Sequence, residues 1–189
     1  SDLRLIQLAG EAEAAALAVK GVTNSEGADA SWSRSQVTLA ASNGFTGSYA
    51  VTRHSISASV LAGSGTQMER DYDHHSTVFA ADLESAALIG RHAGERAVAK
   101  LNPRKVKTTR VPVVLDPRVA GSILGHLVGA ITGPAVARGT SFLKDQLEKQ
   151  IFAAGVEVVD DPHLRRGLRS KPFDAEGIAA GRQVGRAHV

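Results

Sequence analysis

The densest group of side chains that could bind a metal or move a proton is the run 71–75, Asp71-Tyr72-Asp73-His74-His75. Carboxylate and imidazole groups serve as metal ligands and as acid–base catalysts. Neighbouring side chains on a β-strand point to opposite faces, so only Asp73 and His75 could share one. A metal site needs further converging ligands, and the local sequence offers no third one. The run therefore favours a polar or edge strand, whose charges discourage aggregation, over a metal site.

Two more residues, His126 and Ser141, have the functional groups of a ligand and of a nucleophile. His126 lies on an apolar helical face, where a histidine is more often a hydrogen-bonded core residue. Ser141 lacks the GxSxG surroundings of a serine nucleophile, and the glycines fit neither a P-loop nor a dinucleotide fingerprint. From the residues alone we assign no catalytic, cofactor-binding or metal-binding residue, and the substrate-binding residues stay unknown.

The elements that must position these residues differ along the chain. Apolar residues recur at helical spacing over 5–20 and 85–101, which predicts two amphipathic helices. Between 22 and 79 the period becomes two, most clearly in 54–62, where Ile56, Ala58, Val60 and Ala62 alternate with polar residues. Turn residues at 42–44 and 63–65 separate such runs, so we predict a meander of about four antiparallel strands.

Beyond residue 110 the pattern predicts a short buried strand over 111–115, then a helix over 118–131 with Asp116 as N-cap and Pro117 in its first turn. A further strand is predicted at 156–159, and the chain after Pro162 is interpreted as loop. The order of elements favours an α+β fold over a doubly wound parallel sheet.

The predicted helix 118–131 contains glycines at a spacing of four: Gly121, Gly125 and Gly129, with Gly133 just beyond it. Glycine costs roughly 1 kcal/mol relative to alanine inside a helix, so a ridge of them needs a reason. That reason is the close approach of another backbone, either from this chain or from a bound peptide. We favour tight internal packing.

Composition excludes several classes of protein. Lys and Arg number 22 and Asp and Glu 19, for a formal net charge of +3, which is small for a dedicated nucleic-acid binder. The sequence has no cysteine, which excludes disulfides and thiol chemistry within it. The most apolar stretch is interrupted by charged residues, so no transmembrane helix is predicted, and we expect a cytoplasmic protein. We interpret the basic segments 100–110 and 165–171 as solvated surface.

Several blocks of the sequence resemble the TldD/PmbA family, in the same order and over most of residues 22–178. They are 22–27 (VTNSEG), 81–85 (ADLES), 90–97 (GRHAGERA), 116–122 (DPRVAGS), 137–143 (ARGTSFL), 158–162 (VVDDP) and 167–174 (GLRSKPFD). The resemblance is closest to the PmbA (TldE) branch, which is traditionally described as a modulator of DNA gyrase.

The resemblance implies a cytoplasmic protease built from a TldD and a TldE subunit and acting on small or unfolded peptides. It also implies that the zinc-bearing TldD branch carries an HExxxH motif on a helix. Aligned on Gly139-Thr140-Ser141, the motif's histidines would fall at about Leu124 and Gly129 and its glutamate at Gly125. None of these residues can ligate zinc, so zinc is expected in the TldD partner and not in this chain.

The sequence therefore predicts part of a larger two-domain protein, with an α+β region over 1–115 and the truncated start of a C-terminal domain over 116–189. The expected function is that of a non-catalytic partner, which binds a TldD-type subunit and a peptide and forms a homo-oligomer when alone. Two alternatives stay open: a metalloprotease active alone through ligands outside this chain, and a protein that contacts gyrase or DNA. Interface anchors are sought among the few aromatic residues: Trp32, Tyr49, Tyr72 and Phe142.

Overall fold

The computed structural model describes residues 2–186, which form two compact units. The first unit comprises residues 2–105 together with 162–181, and the second comprises 106–161 together with 182–186. Within the described residues, no helix is long and apolar enough to cross a membrane.

The first unit contains an antiparallel sheet of three strands in the order β1 (Val22–Ala40), β2 (Thr46–Ala62) and β3 (Glu69–Thr77). We predicted about four strands here, and there are three because the first two are 19 and 17 residues long. The predicted hairpin turn is confirmed: the Gly44 amide donates to the Ala41 carbonyl at 3.0 Å, and Gly44 has a positive φ of 89°. The predicted α+β class, with an antiparallel meander and flanking helices, is likewise confirmed.

Two helices, α1 (Asp2–Leu17) and α2 (Ala86–Ala99), pack on one face of this sheet. The predicted alternation in β2 is confirmed, because Ile56, Ala58, Val60 and Ala62 are all buried against the helices. The start of α2 is fixed by Ser85, whose hydroxyl accepts a hydrogen bond from the Leu88 amide at 3.2 Å. Most other core residues are alanines, which lets the helices lie close to the sheet.

The two helices approach each other at Gly90 and Gly94 of α2. A Cβ on Gly90 would lie 1.9 Å from the Ala12 carbonyl oxygen of α1, and one on Gly94 would lie 2.7 Å from the Val19 side chain. Side chains larger than hydrogen at these two positions would force the helices apart. The pair Gly90 and Gly94 therefore has the close-approach role that we predicted for the glycines of the later helix.

The second unit contains α3 (Pro117–Ala130), α4 (Gly133–Ala137) and a two-stranded antiparallel ribbon of β4 (Glu157–Asp160) and β5 (Gln183–Arg186). The predicted start of α3 is confirmed, because the Asp116 carboxylate accepts a hydrogen bond from the Arg118 amide at 2.9 Å. The predicted buried strand over 111–115 is wrong. Val114 is 98% exposed, and the segment has no strand partner among the described residues. Pro112, which lacks an amide proton, also weakens any pairing there.

Candidate functional site

The run 71–75 lies on β3, as predicted, and its acidic residues face α2 rather than solvent. Asp71 is 3% exposed and Asp73 is 6% exposed. Their partners in β2, Val60 and Ala58, belong to the buried face of the sheet. Two carboxylates thus lie at the edge of the apolar core, where an unpaired charge would be strongly unfavourable.

Basic side chains spaced by four residues along α2 and at its C-cap compensate both carboxylates. Asp73 contacts His92 at 3.1 Å and forms an ion pair with the Arg96 guanidinium. The Lys100 ammonium lies 3.1 Å from the Asp71 carboxylate and also donates to the Arg70 carbonyl. The group is therefore a set of ion pairs that fastens α2 to the sheet. The spacing of His92, Arg96 and Lys100 was visible in the sequence, but it was not matched to the two aspartates.

The histidines of the run lie on opposite faces of β3, as the strand period requires. The His75 Nδ1 accepts a hydrogen bond from the Glu84 amide at 3.1 Å, beside the start of α2. His74 lies on the other face, with its ring 5.9 Å from that of Tyr72. Among the residues that the structure describes, no three His, Asp or Glu side chains are grouped so that they could hold a metal ion.

Ser141 is buried, and its hydroxyl is used in local structure. The hydroxyl donates to the Ala130 carbonyl at 2.7 Å and accepts from the Leu143 amide at 2.9 Å. These bonds join the end of α3 to the segment that follows α4. With its proton committed to a carbonyl, Ser141 has the environment of a structural serine and not that of a nucleophile.

Helix α3 is the element in which the structure departs most from our expectations. His126 is exposed, so it is not the core histidine that we predicted. The predicted internal packing of the glycine ridge is also wrong. A Cβ on Gly121, Gly125, Gly129 or Gly133 would meet nothing within 4 Å in the described chain. Apolar side chains of the same helix are also half-exposed, among them Ile123, Leu124 and Val128.

The residues of α3 at the positions implied for a zinc motif do not fit a metal. Leu124 offers a half-exposed aliphatic side chain, and Gly125 and Gly129 have no side chain at all. A zinc ligand must supply a nitrogen, sulfur or oxygen atom, and a general base must accept a proton. None of these three residues can do either, so we derive no catalytic step through zinc at this helix.

Four aromatic residues singled out as possible anchors have different environments. Tyr49 packs edge-to-face on Phe173, with ring centroids 5.2 Å apart, so it is part of a structural cluster. Trp32 is 54% exposed and lies 6.4 Å from His54, its partner in β2. Tyr72 and Phe142 are also exposed. Trp32 and Tyr72 each border a cavity in the first unit.

Two family models match the chain and together cover nearly all of it. The PmbA/TldA metallopeptidase central domain matches residues 1–101, and the PmbA/TldA metallopeptidase C-terminal domain matches residues 108–184. The break between the two matches falls in the exposed basic segment 100–110.

Individual relatives agree with these matches. The chain is 40% identical to metalloprotease PmbA of Escherichia coli O157:H7 over 179 residues, which are 94% of this chain and 40% of that protein. It is 36% identical to a PmbA homologue of Haemophilus influenzae, over 91% of this chain and 38% of that protein. The chain thus spans about 40% of the length of the curated relatives that it matches most strongly.

Solved structures share the fold. A Bacteroides thetaiotaomicron protein described as a candidate modulator of DNA gyrase superposes with a TM-score of 0.90 at 28% identity, over 97% of this chain and 42% of that one. TldE from Thermococcus kodakarensis superposes with a TM-score of 0.72 at 20% identity, over 97% of this chain and 42% of that one. At that identity the second likeness concerns the fold alone.

Proposed function

The chain belongs to the PmbA/TldD metallopeptidase family, and we propose that it is part of a TldE-type subunit that does not itself carry the catalytic zinc. In this proposal the subunit assembles with a zinc-bearing TldD-type subunit into a cytoplasmic protease for small or unfolded peptides. Zinc in the partner would activate a water molecule, and a glutamate of the partner would act as base.

The observation that carries the proposal is the residue set of α3. This helix lies in the C-terminal family domain and has Leu124, Gly125 and Gly129 where the resemblance places two histidines and a glutamate. The rest of the described chain adds no alternative group of three ligands. Asp71, Asp73 and His92 are instead engaged with one another or with cations, as described above.

The sheet of the first unit supports a role in holding the peptide. β1 is an edge strand in the order β1-β2-β3 and runs for 19 residues. Apart from a bridge between Val22 and Lys20, its outer edge pairs with no other described strand. Free backbone groups on such an edge can bind an extended peptide as an added strand. We therefore place the peptide along residues 28–79 in the assembled protease.

Two cations of the basic segments are engaged with carboxylates, which weighs against the gyrase or nucleic-acid alternative. Lys100 pairs with Asp71, and Arg166 pairs with Asp82 at 2.5 Å and lies over the Phe79 ring. Cations that are neutralised in this way are less available to phosphate groups.

Photo-cross-linking within the assembled protease tests the proposal. The protein that carries this chain is purified with and without its TldD-type partner and incubated with an unfolded peptide that bears a benzophenone group. We expect hydrolysis only with both subunits present, and cross-links within residues 28–79. Hydrolysis by this protein alone would overturn the non-catalytic role, and an absence of label in 28–79 would overturn the placement of the peptide.

A further inference from the structure

A cavity of about 630 Å³ opens in the first unit, on the side of the sheet that carries the helices. It lies between the first turns of α1, the middle of β1 and β2, and the segment 80–86 that leads into α2. Its volume falls within the range of about 300–1,000 Å³ that is usual for ligand pockets. None of the residues discussed above as possible catalysts lines it.

The floor of this cavity, which we call the Trp32 pocket, is apolar. Its apolar lining includes Leu5, Leu8, Trp32, Ile56, Leu83 and Ala86. Ile56 and Ala86 are fully buried parts of the core, and Leu8 and Leu83 pack against that core. The pocket is therefore continuous with the core and has a firm base. A large apolar side chain placed there would lose its contact with water.

Trp32 forms an exposed wall of the pocket. Along the same face of β1, Ala28 and Ala30 pack against the core, and Trp32 follows them. Its indole is 54% exposed and lies beside the His54 ring. Half-exposed tryptophan beside an apolar floor is the arrangement in which aromatic side chains contribute most to binding a partner.

The rim of the pocket carries more negative than positive charge. Asp2, Glu11 and Glu84 lie around the opening, against the single cation Arg4. Within the described residues, none of these four side chains forms an ion pair. An apolar floor beneath an acidic rim is complementary to a ligand that has an apolar group next to a cation.

We propose that the Trp32 pocket binds a large apolar side chain of a peptide that has a basic residue next to it. The choice of a peptide rests on the proposed function, and the preference for an apolar–basic pair rests on the floor and rim of the pocket. The pocket would give the subunit a preference for certain peptide side chains, whereas pairing with an edge strand involves only the peptide backbone.

Trp32 provides a direct signal for this binding, because it is the only tryptophan of the sequence. The chain is titrated with acetyl-Ala-Phe-Lys-Ala-amide while its tryptophan emission is recorded. We expect a saturable blue shift as the phenyl ring displaces water from the indole. The peptides with Ala in place of Phe, or with Glu in place of Lys, are expected to bind at least tenfold and about threefold more weakly, respectively.

Paired variants separate binding in the pocket from general effects. Leu5→Asn alters the floor, and Ile6→Asn is its control, because Ile6 is exposed on the same helix and does not line the pocket. Glu84→Gln alters the rim, and Glu95→Gln on the exposed surface of α2 is its control. We expect peptide binding to weaken about tenfold for Leu5→Asn and about threefold for Glu84→Gln. The two control variants should bind the peptide as the unaltered chain does. Circular dichroism melting checks that each variant is folded.

Four results would overturn the proposal. The emission could remain unchanged by the Phe-Lys peptide, the pocket and control variants could bind equally, or the three peptides could bind with the same affinity. A fourth would be an already blue-shifted emission in the purified natural protein that the peptide does not alter, which would show that another segment fills the pocket. The titration needs neither zinc nor the partner subunit, so its failure is distinguishable from failure of the proposed function.

Discussion

At the scale of single residues, the acidic run on β3 shows that carboxylates suited to binding a metal can instead form structural ion pairs. Asp71 and Asp73 have the chemistry of metal ligands, yet each is matched by a cation from α2. The strand period correctly predicted which residues of the run share a face. What the sequence did not reveal was the identity of the facing element, because that depends on tertiary packing.

Asp73→Asn tests the structural role of this group. The substitution leaves Arg96 without its counter-charge at the edge of the core. We expect the free energy of unfolding to fall by about 2 kcal/mol. This is less than for a fully buried pair, because Arg96 is partly exposed. Urea denaturation measures the change. Asp82→Asn, which removes a more exposed pair with Arg166, is the matched control and should cost less than about 1 kcal/mol. Equal effects of the two substitutions would contradict this account.

Asp174 provides a pH-dependent test in the segment 162–181. Its carboxylate accepts hydrogen bonds from the Ile178 and Glu176 amides, both at 2.9 Å, and these bonds lower the pKa of Asp174. Since the folded pKa lies below the unfolded one, the contribution to stability is complete above the unfolded pKa of about 3.9 and is lost as the pH falls through the folded value.

We therefore expect Asp174→Ala to lower the melting temperature at pH 7 and to have a smaller effect near the folded pKa. Glu176→Ala keeps the backbone amide that binds Asp174 and should leave the melting temperature nearly unchanged at both pH values. A deficit of Asp174→Ala that is the same at both pH values would show that the carboxylate charge is not what stabilises this turn.

At the scale of elements, the close approach that we predicted for the glycines of α3 occurs instead at two glycines of α2. Gly90 and Gly94 hold α1 against α2, whereas the four glycines of and after α3 have open space beside them. Spacing alone predicted the ridge on α3, and the same spacing of four separates Gly90 from Gly94. Which ridge meets another backbone follows from the packing of the sheet and helices, which the spacing does not contain.

Alanine substitutions measure this difference between the helices. Gly90→Ala places a methyl group 1.9 Å from the Ala12 carbonyl oxygen, and we expect it to destabilise the first unit by about 3 kcal/mol. Gly129→Ala meets no atom and should be neutral or should stabilise α3 by up to about 1 kcal/mol. Thermal melting measures the stability of both variants. A strongly destabilised Gly129→Ala would show that the glycine ridge of α3 is packed against another backbone.

At the scale of the whole molecule, the first unit follows from the sequence far better than the second. Helical spacing, the alternation in β2 and the Asn-Gly turn predicted most of its elements, because each pattern reflects burial within the unit. In the second unit Leu127 and Ala130 are the buried apolar residues of the described chain. The apolar segment 111–115 predicts a buried strand, but no described residue packs over its valines, which are exposed.

From the sequence we could predict the residue types at the zinc-motif positions of α3, but we could not predict where the chain forms a pocket. The resemblance placed Leu124, Gly125 and Gly129 of α3, which have no ligand atoms, at the positions of the zinc motif, and the family matches agree on the family. The Trp32 pocket was not predicted, because its lining comes from four separate stretches of chain. The sequence analysis named Trp32 only as one of four possible interface anchors.

The most direct test of the account is the zinc content of the natural protein that carries this chain, purified without its TldD-type partner. Inductively coupled plasma mass spectrometry on the folded protein gives the ratio of zinc to chain. We predict a ratio near zero, because α3 has no ligand atoms at the positions of the zinc motif. A ratio near one would contradict the proposed role and would make this protein a metalloprotease in its own right.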